Sequence, residues 1–140
     1  MRVLGIDHGE KRMGIAISDE LGTLATPLEF IAAEPFGPFL QRLKELIASY
    51  EVELIVVGMP RNMDGTYGPA ALKVTAFIAV LKNALTIPIK SWDERLTTVQ
   101  ATRMLREAGH KSKNQKKKVD QSAAALLLQS YLDSIGSETF

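Results

Sequence analysis

The sequence predicts an α/β fold built on a mixed five-stranded sheet: three antiparallel strands first, then parallel strands reached through helices, with helices on both faces. Three patterns carry this. In residues 13–18, Met13, Ile15 and Ile17 alternate with Gly14, Ala16 and Ser18, the period of a strand. Residues 54–57 read LIVV, the unbroken apolar run of a strand covered on both faces. Between them the period lengthens. Phe36, Phe39, Leu40, Leu43, Leu46, Ile47 and Tyr50 share one helical face, with Gln41, Arg42, Lys44 and Glu45 opposite.

In chain order, residues 3–7 form the first strand, and a tight turn containing Gly9 joins it to the second at 13–18. The third extended segment, 24–31, contains Pro27, which lacks a ladder donor and belongs on an edge. The first helix and the strand at 54–57 follow. Residues 58–69, GMPRNMDGTYGP, form a loop in which Gly65 and Gly68 shape the turn; Pro69 then opens a helix at a position where its missing N–H costs nothing. That helix turns Val74, Phe77, Ile78, Leu81 and Leu85 inward, and residues 87–92 make the fifth strand. Thr97 and Gln100 have capping-box form, opening a helix that ends near Gly109. The stretch HKSKNQKKK reads as a polar, mobile connection, and a last helix is expected over 119–135. Right-handed crossovers set the fourth and fifth strands parallel to the first. With 140 residues and no repeat or linker, 1–140 is expected to be one domain.

Composition narrows the class. There is no cysteine, hence no disulfide and no thiolate metal site, in keeping with a cytoplasmic protein. The apolar N-terminal run meets Asp7 too soon for a secretory leader, and no stretch approaches the ~20 apolar residues of a membrane span. Net charge is only +1, but it is unevenly spread. Residues 95–118 hold eight basic side chains and one acid, and the rest holds nine basic and fifteen acidic ones. Such a run is either a solvated face or a phosphate-binding edge on an otherwise acidic protein.

In a sheet of this order, function gathers beyond the carboxyl ends of the parallel strands. Asp7 ends the first strand, Asp93 and Glu94 end the fifth, and Gly58, Pro60 and Arg61 follow the fourth. Asp120 is read at the start of the last helix, before the small residues Ala123, Ala124 and Ala125 that let it lie close on the sheet. Each acid has a plain account. Asp7 can begin a turn, Glu94 can pair with Arg95 or Arg12, and Asp120 can favour the helix dipole. Their convergence on one rim has another. Crowded carboxylates cost stability unless cations neutralise them, and oxygen donors without His or Cys suit Mg²⁺ or Mn²⁺. Two such ions can activate a water and stabilise the leaving oxygen of a phosphodiester. His8, on the opposite strand face from Asp7, reads as solvent or loop, and His110 as incidental.

Four blocks, GIDHGEKRMGIAISD, VVGMPRNMDGTYG, WDERLTT and KVDQSAAALLLQSYL, resemble in order, along nearly the whole chain, the YqgF (RuvX-like) family. The resemblance implies an RNase H-like fold. It also implies a nuclease of a kind described as a Holliday junction resolvase or as an enzyme maturing the 5′ end of 16S ribosomal RNA. It carries metal-binding, catalytic roles onto Asp7, Glu94 and Asp120, with Mg²⁺ or Mn²⁺ as cofactor. It suggests phosphate or backbone contacts for Lys11, Arg12, Arg61, Asn62 and Arg95. The basic segment adds Arg103, Lys113, Lys116, Lys117 and Lys118 to the nucleic-acid surface. The expectation is therefore a metal-dependent nuclease acting on structured nucleic acid, with ribosomal RNA precursor ahead of branched DNA. The partners are nucleic acid and the ribosome, with no membrane. A monomer suffices for an RNA nuclease, whereas a resolvase requires a symmetric homodimer. Two other classes compete: a nucleic-acid-binding module without turnover, and a sugar-kinase- or actin-like ATPase, for whose second domain the chain has no room.

Overall fold

The computed structural model describes the backbone of residues 1–61, 64–94 and 113–138, and the side chains of these except 113–122, 137 and 138. The elements run β1 (Arg2–Asp7), β2 (Arg12–Ser18), β3 (Ala25–Ala32), α1 (Phe36–Tyr50), β4 (Val52–Met59), α2 (Pro69–Ala84), β5 (Ile89–Asp93) and α3 (Lys113–Glu138). The sheet order is β3-β2-β1-β4-β5. β1 pairs antiparallel with β2, and β2 with β3; β1 pairs parallel with β4, and β4 with β5. The expected mixed sheet is present, with β3 at the edge. Pro27 sits beside a register shift, where Ala16 faces Pro27 after Ile15 has faced Glu29. A residue without an N–H is tolerated at such an irregular edge.

The two faces of the sheet carry separate cores. On one, Leu4, Ile6, Ile15, Ile55 and Val57 pack against Phe39, Leu43 and Leu46 of α1 and Val74, Phe77 and Leu81 of α2. Phe39 is fully buried, whereas Phe36 stands about one-third exposed. On the other face, Val3, Ala16, Leu54 and Val56 pack against Ala124, Leu128, Tyr131 and Leu132 of α3. The small residues on both sides let α3 approach closely. A Cβ built on Gly5 would stand 2.9 Å from Leu128 Cβ, a separation that real side chains do not tolerate. Polar contacts fix the far half of α3. Gln129 accepts from the Ala25 N–H at 2.9 Å and donates to the Thr23 carbonyl at 2.9 Å, and Trp92 Nε1 donates to Ser130 Oγ at 3.1 Å.

The last helix corrects the sequence reading. It begins at Lys113 rather than near 119, so the lysine-rich stretch is helical from there on, not a mobile connection. The stretch has no apolar period, yet Lys and Gln are straight-chain helix formers, and extending a docked helix avoids the nucleation cost. Asp120 consequently lies about two turns inside α3. The dipole account offered for Asp120 no longer applies, because that effect is confined to the first turn. The helix expected from Thr97 to Gly109 lies outside the described residues, as do Asn62, Arg95, Arg103 and His110.

Candidate active site

Asp7 closes β1 opposite Gly14 of β2. A Cβ built on Gly14 would stand 3.6 Å from Asp7 Cβ and 3.7 Å from Ala124 Cβ, so Asp7 faces the α3 side of the sheet. There it lines a depression of about 210 Å³ with Lys11, Arg12, Gly14, Phe30 and Ala123. Arg12 is stacked over the Phe30 ring, with Cζ 4.4 Å from the centroid. That stacking holds a guanidinium at the depression that Asp7 lines while leaving the residue exposed.

Glu94 follows β5 and is only 6% exposed, one of two buried polar residues among those described. It lies over β4: a Cβ on Gly58 would come within 3.0 Å of Glu94 Oε1 and 2.9 Å of Leu127 Cδ2. Gly58 is therefore small because a carboxylate and a helix side chain occupy the space above it. Since Leu54 and Val56 of the same strand face α3, Gly58 and the Glu94 carboxylate share that side with Asp7. Glu94 also lines a cleft of about 360 Å³ with His8, Glu10, Gly58, Pro60 and Lys73.

Asp120 lies within α3, and only its place along the helix is described. It stands three and four residues before Ala123 and Ala124, and the helical period puts all three on one face of α3. Among the described residues no three acidic or histidine side chains form a cluster, and the Asp120 side chain is not among them. The structure thus brings Asp7 and Glu94 onto one face at the carboxyl edge, the face on which α3 docks. Carboxylate oxygens alone make up this donor set, which fits a hard divalent cation such as Mg²⁺ or Mn²⁺.

The other predicted residues divide. Lys11 is exposed at the turn beside Asp7. Arg61 is engaged within its own loop. Its Nε donates to the Gly65 carbonyl at 3.0 Å, its Nη1 to Asp93 Oδ2 at 3.2 Å, and its Cζ lies 4.6 Å from the Tyr67 ring centroid. Lys113, Lys116, Lys117 and Lys118 occupy the first two turns of α3, where no acid balances the dipole. His8 lies on the opposite face from Asp7 and in the β1–β2 connection, as expected, but it is half-buried rather than free in solvent. It packs edge-on against Phe77 at 5.1 Å, and burial there is the main force pulling its pKa down. Beside it Glu10 and Lys73 form an exposed ion pair, and hydrogen bonding to Lys73 lowers the Glu10 pKa. Sequence reasoning missed this pair because its members belong to β1–β2 and α2, far apart in the chain.

A family model described as RuvX: Holliday junction resolvase matches residues 1–134. The chain belongs to the RuvX family. A relative from Desulforamulus reducens is 48% identical over 134 residues, covering 96% of this chain and 98% of its own. Another, from Thermoanaerobacter pseudethanolicus, is 49% identical over 135 residues, covering 96% and 97%. Both are provisionally named pre-16S rRNA nucleases. Among solved structures, the fowlpox virus Holliday junction resolvase aligns with a TM-score of 0.52 at 15% identity, covering 96% of this chain and 99% of its own. That likeness concerns the fold, and the RuvX chain has the RNase H-like mixed sheet expected of it.

Proposed function

We propose that the chain is a divalent-metal-dependent nuclease that hydrolyses phosphodiesters in the precursor of 16S ribosomal RNA. The observation that carries this reading is that Asp7 and a buried Glu94 share the α3 face, at the end of β1 and just beyond the end of β5. Carboxylates gathered on one face supply hard oxygen donors, and a divalent cation held by them serves the chemistry. Asp7, Glu94 and Asp120 would hold Mg²⁺ or Mn²⁺. Bound there, such ions activate the attacking water and stabilise the leaving oxygen. Lys11 and Arg12, at the rim of the Asp7 depression, would hold the backbone phosphates. Lys116, Lys117 and Lys118, with Lys113, Arg95 and Arg103, would extend that hold along the substrate. Lysines at the positive end of a helix oppose its dipole, and a polyanion relieves the conflict. No protein nucleophile is required.

The provisional names of the relatives favour RNA as substrate. The family description favours a four-way DNA junction as the second reading. An RNA nuclease of one domain, residues 1–140, works with a single active site and can be a monomer, whereas a resolvase needs a two-fold dimer. A cytoplasmic, ribosome-associated enzyme follows from the first reading. No described helix is long and apolar enough to cross a membrane.

The test is cleavage by wild-type protein of three labelled substrates: a 16S precursor fragment, unstructured RNA and a four-way DNA junction. Each is run with Mg²⁺, Mn²⁺ or EDTA. Metal-dependent cutting of the precursor supports the proposal. Cutting of the junction alone moves the assignment to a resolvase. Salt-sensitive binding with no cutting under any ion would make the protein a binding module.

A further inference from the structure

The loop after β4 carries an exposed aromatic side chain that phosphodiester hydrolysis does not use. Tyr67 is 60% exposed, which is unusual for a ring whose burial would be favourable. It is nevertheless not loose. The Arg61 guanidinium lies against one face of the ring, 4.6 Å from its centroid. Arg61 is fixed in turn by the Gly65 carbonyl and by Asp93 Oδ2 at 3.2 Å, and Asp93 immediately precedes Glu94. A chain of contacts therefore runs from Asp93, the residue before the buried Glu94, to the aromatic ring. With one face held by the cation and most of the residue in solvent, the other face is presented outward.

We infer that Tyr67 is a base-stacking platform: it receives one unpaired nucleobase of the substrate, and Arg61 holds it from behind. This deepens the nuclease reading and rests on it. Every base has a π face, so a rigid exposed ring beside a phosphate-binding site suits a single strand of any sequence. The guanidinium behind the ring keeps the platform in one orientation, so a stacked base loses little to ordering the protein. Fixing that base fixes the backbone on either side of it, and Asp93 ties the position to Glu94. The ligand is a splayed-out base flanking the cut, not a base pair.

The test is a double-mutant cycle that needs no catalysis. A short labelled single-stranded RNA is titrated into full-length protein in EDTA. The titration is repeated with a set of the same RNA in which a single abasic nucleotide is walked along the chain. Wild-type protein should lose about tenfold in affinity for an abasic nucleotide at one position. Tyr67→Leu should show the same loss on intact RNA and no further loss on that abasic RNA, while Tyr67→Phe should behave as wild type. A purely structural Tyr67 would give Tyr67→Leu the same penalty on every RNA in the set, which overturns the inference alone. Equal affinity of wild type and Tyr67→Leu for intact RNA also overturns it alone. Failure of wild type to bind any RNA overturns both the inference and the nuclease reading.

Discussion

Glu94 is packed over Gly58: a Cβ at residue 58 would stand 3.0 Å from Glu94 Oε1 and 2.9 Å from Leu127 Cδ2. One methyl group therefore pushes at once on a candidate metal ligand and on the helix that carries Asp120. Gly58→Ala is expected to cost about 1–3 kcal/mol of stability through overpacking. It should lower kcat by ten-fold or more with KM little changed, because the carboxylate moves while the phosphate-holding cations stay. Steady-state kinetics beside a urea melt checks this; unchanged kcat would show that Glu94 tolerates the displacement.

Divalent metal should bind the folded protein and not the unfolded chain, so it should raise the melting temperature in proportion to saturation. Wild-type protein is expected to gain several degrees in excess Mg²⁺ or Mn²⁺. Glu94→Gln replaces a buried charge by an isosteric amide. It should lose the gain in metal, whatever its melting temperature in EDTA. Differential scanning calorimetry in EDTA, Mg²⁺ and Mn²⁺ separates the two effects.

The β2–β3 connection has a measurable acid dependence. The Asp19 carboxylate accepts from the Thr23 N–H at 2.8 Å, the Leu24 N–H at 3.1 Å and the Thr23 hydroxyl at 2.8 Å, which pulls its pKa from 3.8 to about 2. A depressed pKa means that the ionised form is favoured in the folded state. Its contribution is fully present above about pH 4 and is lost as the pH falls through about 2. Asp19→Asn should flatten the decline of stability between pH 4 and pH 2. Parallel melts of the two proteins across that range make the comparison.

Gln129 ties α3 to the same connection through the Ala25 N–H and the Thr23 carbonyl. Gln129→Ala should cost about 1–2 kcal/mol, since a part-buried backbone donor loses its partner. Hydrogen exchange at the Ala25 amide should rise with it. An unchanged exchange rate would mean that water replaces the glutamine without loss.

Much of this molecule was legible in its residues. The alternation from Met13 to Ser18, the LIVV run and Pro27 sufficed for strand types and for an edge. Asp7 stood out because an acid at the end of an apolar strand needs a reason. What stayed hidden depended on distant partners. Asp120 reads as a helix start because 113–118 has no apolar period, and only docking of the later turns extends the helix back through it. The strand face of His8 followed from period two, but its contact with Phe77 depends on how α2 lies across the sheet. Arg61 reads as a phosphate ligand in isolation, and its engagement by Asp93, Gly65 and Tyr67 is a property of the closed loop. The burial of Glu94 runs against the usual exposure of glutamates, as functional sites often do.

The central claim is that Asp7 works with Glu94 through metal. It is tested most directly by single-turnover cleavage of the 16S precursor fragment by wild type and by Asp7→Asn, each with Mg²⁺ and with EDTA. The account predicts cutting by wild type only with Mg²⁺, and a rate at least about 100-fold lower in Asp7→Asn at equal RNA affinity. Asp7→Asn protein that cut at the wild-type rate would contradict it.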